Sequence, residues 1–499
     1  MEPTAARTGV NAHRGPRSCS RSRSPRVVIA VAVATVSLMV LGSPAAVAAG
    51  RATESTPEAW DKQVAPIAAR VSKLRGLTFD HPVPVHYLSD AAFRKRVGLK
   101  ASKLTKADRR QVADLQSTLR AFGLIDASTD LVKSLDAVSE AGVLAFYDPK
   151  AKDIVIRGKG PLDVDRRATL AHELTHVLQD QHFDLQKLRH AAAESKTSSS
   201  GALTALVEGD AERIKAAYLQ GLTRADRAAY DAAEAKTGES VDSEIESAPE
   251  LVKVEFSAPY LFGPSVVDVL TAHGGNHEVD AALQRGAPTD KIYLDPAEAL
   301  GDPKATAVVA PSIPHGAHRV GKSDEIGAFD LYTLLASRID RQAALSGADA
   351  WTGDRVVTYR SQGRVCARAT IASTAAGTGA LTGALRTWAA AMPDATVATG
   401  PGPRHSTVTS CDTGRIAAPT SDQIQGALRL LAVRNSIFAS AVHGGIPTSI
   451  GECVAHRIVK EPILATSIDQ DAAPSVDVQR QLQQLAIALA DECRSAGHA

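Results

Sequence analysis

The chain has almost no excess of charge: 56 Lys and Arg stand against 55 Asp and Glu over 499 residues, a formal net charge of +1. That balance leaves no basic footprint for nucleic acid, and no nucleic-acid partner is expected. Methionine is nearly missing. Beyond the first fifty residues only Met392 remains, so a motif in the first half of the chain has no methionine turn close behind it. No C-x-x-C pair occurs, which argues against a cysteine-held zinc ion. There is no internal repeat, which sets aside a solenoid. After residue 50 there is no second apolar run of membrane length, so no membrane association is expected of the mature chain.

What the chain does have begins with a leader. Arg7, Arg14, Arg17, Arg21, Arg23 and Arg26 precede the 15-residue apolar run Val27–Leu41, followed by Pro44 and the small-residue pattern Ala46-Val47-Ala48. A basic start, an apolar middle and an A-x-A site describe a secretory signal over 1–48, cleaved after Ala48. The run is shorter than the about 20 residues a membrane span needs. The alternative is an uncleaved anchor. Secretion to the extracellular side is the expectation. Removing the leader removes Cys19 and leaves Cys366, Cys411, Cys453 and Cys493. An even count in an exported chain suggests two disulfides, against the alternative of four buried thiols. Neighbouring pairs are expected, Cys366–Cys411 and Cys453–Cys493, the first bounding a strand–helix–strand unit and the second a helical tail.

Patterning along the chain predicts a helix over 60–75, a strand over Val83–Leu88 and a helix over Thr105–Phe122. A hairpin is expected within Val143–Gly158, turning at Asp148-Pro149-Lys150. Leu170, Leu174, Val177 and Leu178 recur at helical spacing and predict one apolar helix face. A Ser-rich loop over Glu194–Gly201 leads to a second helix. Residues 232–250, polar and acidic, are expected to form a surface loop. From Trp351 strands reappear, and a long helix is expected over Gln423–Ala441.

The chemistry lies in "TLAHELTHVLQDQ", residues 169–181. Residues four apart on a helix project from one face, so His172 and His176 can offer imidazole nitrogens to one ion. Glu173, turned away from them, is placed to act as a base. This H-E-x-x-H pattern reads as two zinc ligands and a general base. A catalytic zinc takes a third protein ligand and keeps one position open. Two residues compete for that third place. His182 gives the metzincin count, but Gln179 stands where a turn glycine would let the helix end and the histidine swing back. Glu208, in "LVEGDAE", lies on its own helix 32 residues after His176, room enough for the chain to reverse. It is the preferred ligand. Glu212, one turn further on, can accept the other N–H of a zinc histidine and orient the ring.

"AHELTHVLQDQ" followed by "LVEGDA" resembles the gluzincins, the His-His-Glu zinc metallopeptidases that include thermolysin-like enzymes, and most of all a secreted bacterial group with HELTH-x-LQDQ and EGDA signatures. The resemblance extends through "LRGLTFDHPVPV", "GVLAFYDPKAKDIVI", "APYLFGPSVVDVL" and "GADAWTGDR", roughly residues 70 to 360. It implies one Zn²⁺ held by His172, His176 and Glu208, with Glu173 as general base toward a zinc-activated water. The chain departs from thermolysin-like enzymes at Glu212, where they carry aspartate. Asp180 matches a similarly placed aspartate and is a rival orienting group. Tyr260 is the first candidate to steady an oxyanion, with His273 and Tyr218 behind it. The strand "DIVIRG" is a candidate edge for an extended substrate.

The expected fold class is α+β: a mostly helical zincin-like domain over 49–350 with a small sheet and an active-site helix, then an α+β and helical C-terminal region over 351–499 with two disulfides. The expected function is a secreted zinc metallopeptidase, an endopeptidase acting on polypeptides. The alternative is a catalytically silent gluzincin-fold binding or structural protein at the cell surface.

Overall fold

The computed structural model describes residues 56–97, 104–195, 198–286, 289–468 and 475–497. The leader over 1–48 lies outside them. The first helix, α1 (Ala65–Arg75), carries Pro66 in its first turn and ends at Gly76, whose φ of 74° gives the left-handed stop that glycine tolerates. Three short strands follow in a first sheet: β1 (Val85–Leu88), β2 (Ala145–Asp148) and β3 (Asp153–Arg157). Between β1 and β2 lie α2 (Asp90–Val97), α3 (Lys106–Ala121) and α4 (Leu131–Glu140). Thr105 caps α3 through a reciprocal bond pair with Asp108.

The sheet order is β1–β3–β2, with β3 parallel to β1 and antiparallel to β2. This corrects one expectation. Ile154–Arg157 pair with Val85–Leu88 on one side, while Ile154 and Ile156 also pair with Tyr147 and Ala145 on the other, so "DIVIRG" offers no free edge.

The motif helix α5 (Val164–Phe183) starts at Asp163, whose side chain accepts from Arg166 N, and stops at Asp184 in the left-handed region. Leu170, Leu174, Val177 and Leu178 are fully buried against α1 and the sheet, in a cluster with Ile67, Val71, Ile154 and Ile156. The helix is not half-exposed. Thr175 and Gln179 on its polar side are buried as well, because further helices cover that side.

Those helices are α6 (Leu185–Glu194), α7 (Ser199–Gln220), α8 (Arg224–Glu244) and α9 (Glu250–Arg285). Most of the segment expected as a surface loop, 232–250, is the second half of α8. Thr223 caps that helix, and Val241, with Ile245 just beyond it, inserts into a small core with Val112, Leu131, Val138 and Val252. Two apolar anchors among many polar residues were enough to hold the helix. The close approach of α7 to α9 has a specific cause. A Cβ on Gly209 would lie 2.3 Å from Gly263 O, and one on Gly263 would lie 2.4 Å from Ala205 O. Both positions need hydrogen in place of a side chain.

The rest of the chain builds a five-stranded antiparallel sheet, β4 (His318–Asp324), β5 (Trp351–Ser361), β6 (Arg364–Ser373), β7 (Ala395–Thr399) and β8 (His405–Cys411), ordered β4–β5–β6–β8–β7. Helices α10 (Ala328–Ala336), α11 (Arg341–Asp349), α12 (Thr378–Ala390), α13 (Ser421–His443), α14 (Thr448–Ile458), α15 (Pro462–Ile468) and α16 (Val476–Ser495) complete it. The fold is therefore α+β and mostly helical. Position 350 is no break in the core: Leu206, Phe262 and Phe329 share one buried cluster with Trp351, Ile371, Trp388 and Leu431. Both expected disulfides form. Cys366 and Cys411 face each other across β6 and β8, and Cys453–Cys493 joins α14 to α16.

Two outcomes check this description. Peptide mapping without reductant should recover those two pairs, and a Cys366–Cys493 link would contradict the sheet register. Gly209→Ala should lower unfolding free energy by about 1–3 kcal/mol, the usual cost of overpacking. A denaturant midpoint equal to that of the unaltered chain would show that α7 and α9 do not meet at this glycine.

Candidate metal centre

Helix geometry stacks His172 and His176 one turn apart on α5, and the α7–α9 packing carries Glu208 against them. Their donor atoms converge. His172 Nε2 lies 3.0 Å from His176 Nε2 and 3.1 Å from Glu208 Oε2, and His176 Nε2 lies 3.3 Å from the same oxygen. All three residues are buried, at 2 % exposure or less. A tetrahedral ion with ligands at about 2.1 Å sets its donors about 3.4 Å apart, so this triangle is close to the size a zinc ion requires.

Orienting partners decide where the lone pairs point. Gln179 Nε2 donates to Val207 O and to Asp210 Oδ2, both at 3.0 Å, so its Oε1 is left facing His176 Nδ1 at 2.8 Å. An oxygen there requires a proton on Nδ1, and a neutral His176 then turns its Nε2 lone pair toward the centre. For His172 the partner is Glu212, whose Oε1 stands 3.0 Å from Nδ1, although the ring N–H meets it too obliquely for a well-aligned hydrogen bond. Glu212 is held from behind by Lys215 at 3.4 Å. Two imidazole lone pairs and a carboxylate oxygen thus face one point. Such a point demands positive charge, from a proton or a metal ion.

The electrostatics agree. Burial alone would lower His172, but the adjoining carboxylates of Glu208 and Glu212 raise it to about 10. Burial would raise Glu208, yet the two histidines hold it at about 2. Burial would also raise Glu212, which Lys215 and His172 keep at about 2. Glu173 is different. Its carboxyl is pushed up to about 7 by burial, against the pull of both histidines, and its Oε2 accepts from Tyr147 N at 2.8 Å.

Several expected residues are elsewhere. Asp180 does not orient a histidine: it accepts from Tyr147 Oη at 2.5 Å, Lys152 Nζ at 2.6 Å and Leu185 N at 3.1 Å, fastening α5 to the hairpin and to α6. The helix continues past Gln179, so His182 is carried away and donates to Thr78 O at 2.8 Å. Tyr218 packs under Arg70, and His273 is exposed near Glu278. Tyr260 does approach, its ring centroid 6.2 Å from that of His172.

Other residues carried less signal. Gln179 was visible, since position i+3 shares a face with His176. Asp210 and Arg75 were not. Their buried pair, Nε to Oδ2 at 2.7 Å, spans 135 residues and backs Gln179. Arg189 on α6 was also missed. It lies within electrostatic reach of Glu208, Asp180, Tyr260 and Tyr147, and burial lowers its pKa.

Comparison with known proteins finds no matching family model, no matching curated protein and no matching solved structure.

The arrangement predicts an order of effects on metal affinity, measured by competition with a chromogenic chelator. Glu208→Ala should weaken binding most. Gln179→Leu should weaken it about 10–100-fold, as loss of an orienting partner does. His182→Ala should change it little. If His182→Ala were the damaging substitution and Glu208→Ala the harmless one, the ligand set argued above would be wrong.

Proposed function

We propose that this chain is an exported zinc-dependent metallopeptidase in which Glu173 is the general base. The observation that carries the reading is the convergence of His172, His176 and Glu208 donors within 3.3 Å, with Glu173 on the same helix as the two histidines. Two imidazoles and one carboxylate form a donor set suited to zinc, and a group of this kind is present. When bound there, zinc would polarise a peptide carbonyl and lower the pKa of a water molecule. The protein's part is orientation and proton transfer. Gln179 and Glu212 hold the ligand rings. Tyr147 N fixes Glu173 Oε2, leaving Oε1 to take a proton from the attacking water and deliver it to the leaving amine. Tyr260, across from His172, is the candidate donor to the developing oxyanion, and Arg189 is a cation within range.

Export rests on the basic-apolar leader and on the two disulfides, which persist in oxidising compartments. Among the described residues no helix is long and apolar enough to cross a membrane.

One observation favours the second reading, a catalytically silent binding protein at the cell surface. His172, Glu173, His176 and Glu208 are all at 2 % exposure or less, so a peptide reaches them only after part of the cover moves. The two readings separate in one assay. Cleavage of an unstructured polypeptide should occur with the metal-loaded protein and stop on chelation. Glu173→Gln should keep the metal yet lose at least about 10²-fold in kcat, the scale of general-base catalysis. Undiminished cleavage by Glu173→Gln would remove the assigned base, and no cleavage by the metal-loaded protein would leave the binding reading.

A further inference from the structure

Further along the chain a second set of ligating side chains, sharing no residue with the first, comes together. Glu452 and His456 lie four apart on α14, the spacing that also lets His172 and His176 share an ion. Asp295, which caps the short 3-10 turn Pro296–Leu300, faces them, and one ligand atom from each of the three lies within 4.8 Å of the others. They line a tight cleft together with Leu294, Arg434 and Asn435.

A cluster of carboxylates is not by itself a site, and Asn435 supplies the separate observation. This residue is 1 % exposed. Its Nδ2 donates to Tyr293 O at 2.7 Å, which fixes the amide orientation, because a carbonyl can only accept. The Oδ1 is left buried with no hydrogen-bond partner, on the wall of the same cleft. A buried amide oxygen without a donor is costly, and a cation would satisfy it. Arg434 does not play that part. Its Nη1 is committed to both oxygens of Asp349, at 2.9 and 2.8 Å, and its Nη2 to Leu294 O at 2.7 Å, while its Nε is buried and makes no bond to the Asn435 oxygen. Asp295 is disfavoured as an ion first by burial and next by the neighbouring Glu452 charge.

We propose that Asp295, Glu452, His456 and the Asn435 carbonyl oxygen form a second, structural divalent-cation site that ties the 295 turn and α13 to α14. Three oxygens and one imidazole nitrogen suit a borderline transition-metal ion of the Mn²⁺ or Zn²⁺ class; the imidazole disfavours Ca²⁺, which takes oxygen ligands. The site is independent of the peptide-cleavage reading, and its role is to hold the α14–α16 tail on the body of the protein.

The test counts ions and follows melting on the purified chain after stripping and reloading with Zn²⁺ or Mn²⁺. The unaltered chain should bind two equivalents and His172→Ala one. In the His172→Ala background, metal should still raise the melting temperature, since an ion bound only by the folded state stabilises it. Adding Asp295→Asn and Glu452→Gln should abolish both the remaining equivalent and the shift, with the far-UV spectrum unchanged. Should that variant fold poorly, His456→Ala, at a half-buried position, should show the same loss. Retention of the equivalent and the shift in either variant would overturn the second site. Loss of metal response on His172→Ala alone would also overturn it. If the Asp295 and Glu452 changes remove an equivalent while His172→Ala does not, the second site stands and the peptide-site reading fails.

Discussion

The candidate metal centre depends on one steric contact, the backbone approach of α7 to α9 at Gly209 and Gly263. A helix turns about 100° per residue, so three consecutive positions point in three directions. On α7 those positions are Glu208, Gly209 and Asp210. With Gly209 pressed on α9, Glu208 faces the histidine pair of α5, and Asp210 faces Gln179 and Arg75. Ala211, next in order, is fully buried. The four letters E-G-D-A are therefore one structural statement. The glycine sets the depth of the helix, and the two acids can then reach adjoining groups on α5, Glu208 the histidine pair and Asp210 the Gln179 amide behind it.

Around that contact the fold balances buried charge locally. Burying an ion costs several kcal/mol unless a partner and hydrogen bonds accompany it. Asp210 has Arg75 and Arg213, Glu212 has Lys215 and His172, and Asp180 has Lys152 and Tyr147. The point between His172, His176 and Glu208 is of another kind. Its orienting partners hold protons on the outer ring nitrogens and direct lone pairs inward. The same imbalance recurs beside Asn435, where a buried carbonyl oxygen has no donor and two carboxylates stand close by.

Legibility in the sequence followed the range of the interactions involved. Helices α1, α3, α5 and α13 and the β2–β3 hairpin were readable because caps, turns and periodicity act within a few residues. The stretch over 232–250 misled for the same reason. Its composition is polar, and the anchoring by Val241 and Ile245 depends on α3 and α4, more than 100 residues earlier. Strand β3 looked like an edge because nothing local says that β1 pairs with it across the intervening helices. Asp180 was credited with orienting a histidine on a count of four. Its side chain instead turns to the hairpin, where Tyr147 and Lys152 compete for it. The cysteine pairs came out as expected, since each joins segments that are neighbours in the chain as well as in space.

By itself the sequence determined the pairing of His172 with His176, the place of Glu173 beside them and the two disulfides, all set by helical pitch or short loops. Tertiary structure decided the rest of the centre. Glu208 rather than His182 joins the histidines, because the helix runs on through Phe183 and because α9 presses α7 toward α5. Gln179, Glu212, Asp210 and Arg75 then set the ring orientations. Local periodicity says which face a residue occupies. Which distant element covers that face depends on close packing and charge pairing between segments far apart in the chain, and those forces act only once the chain is folded.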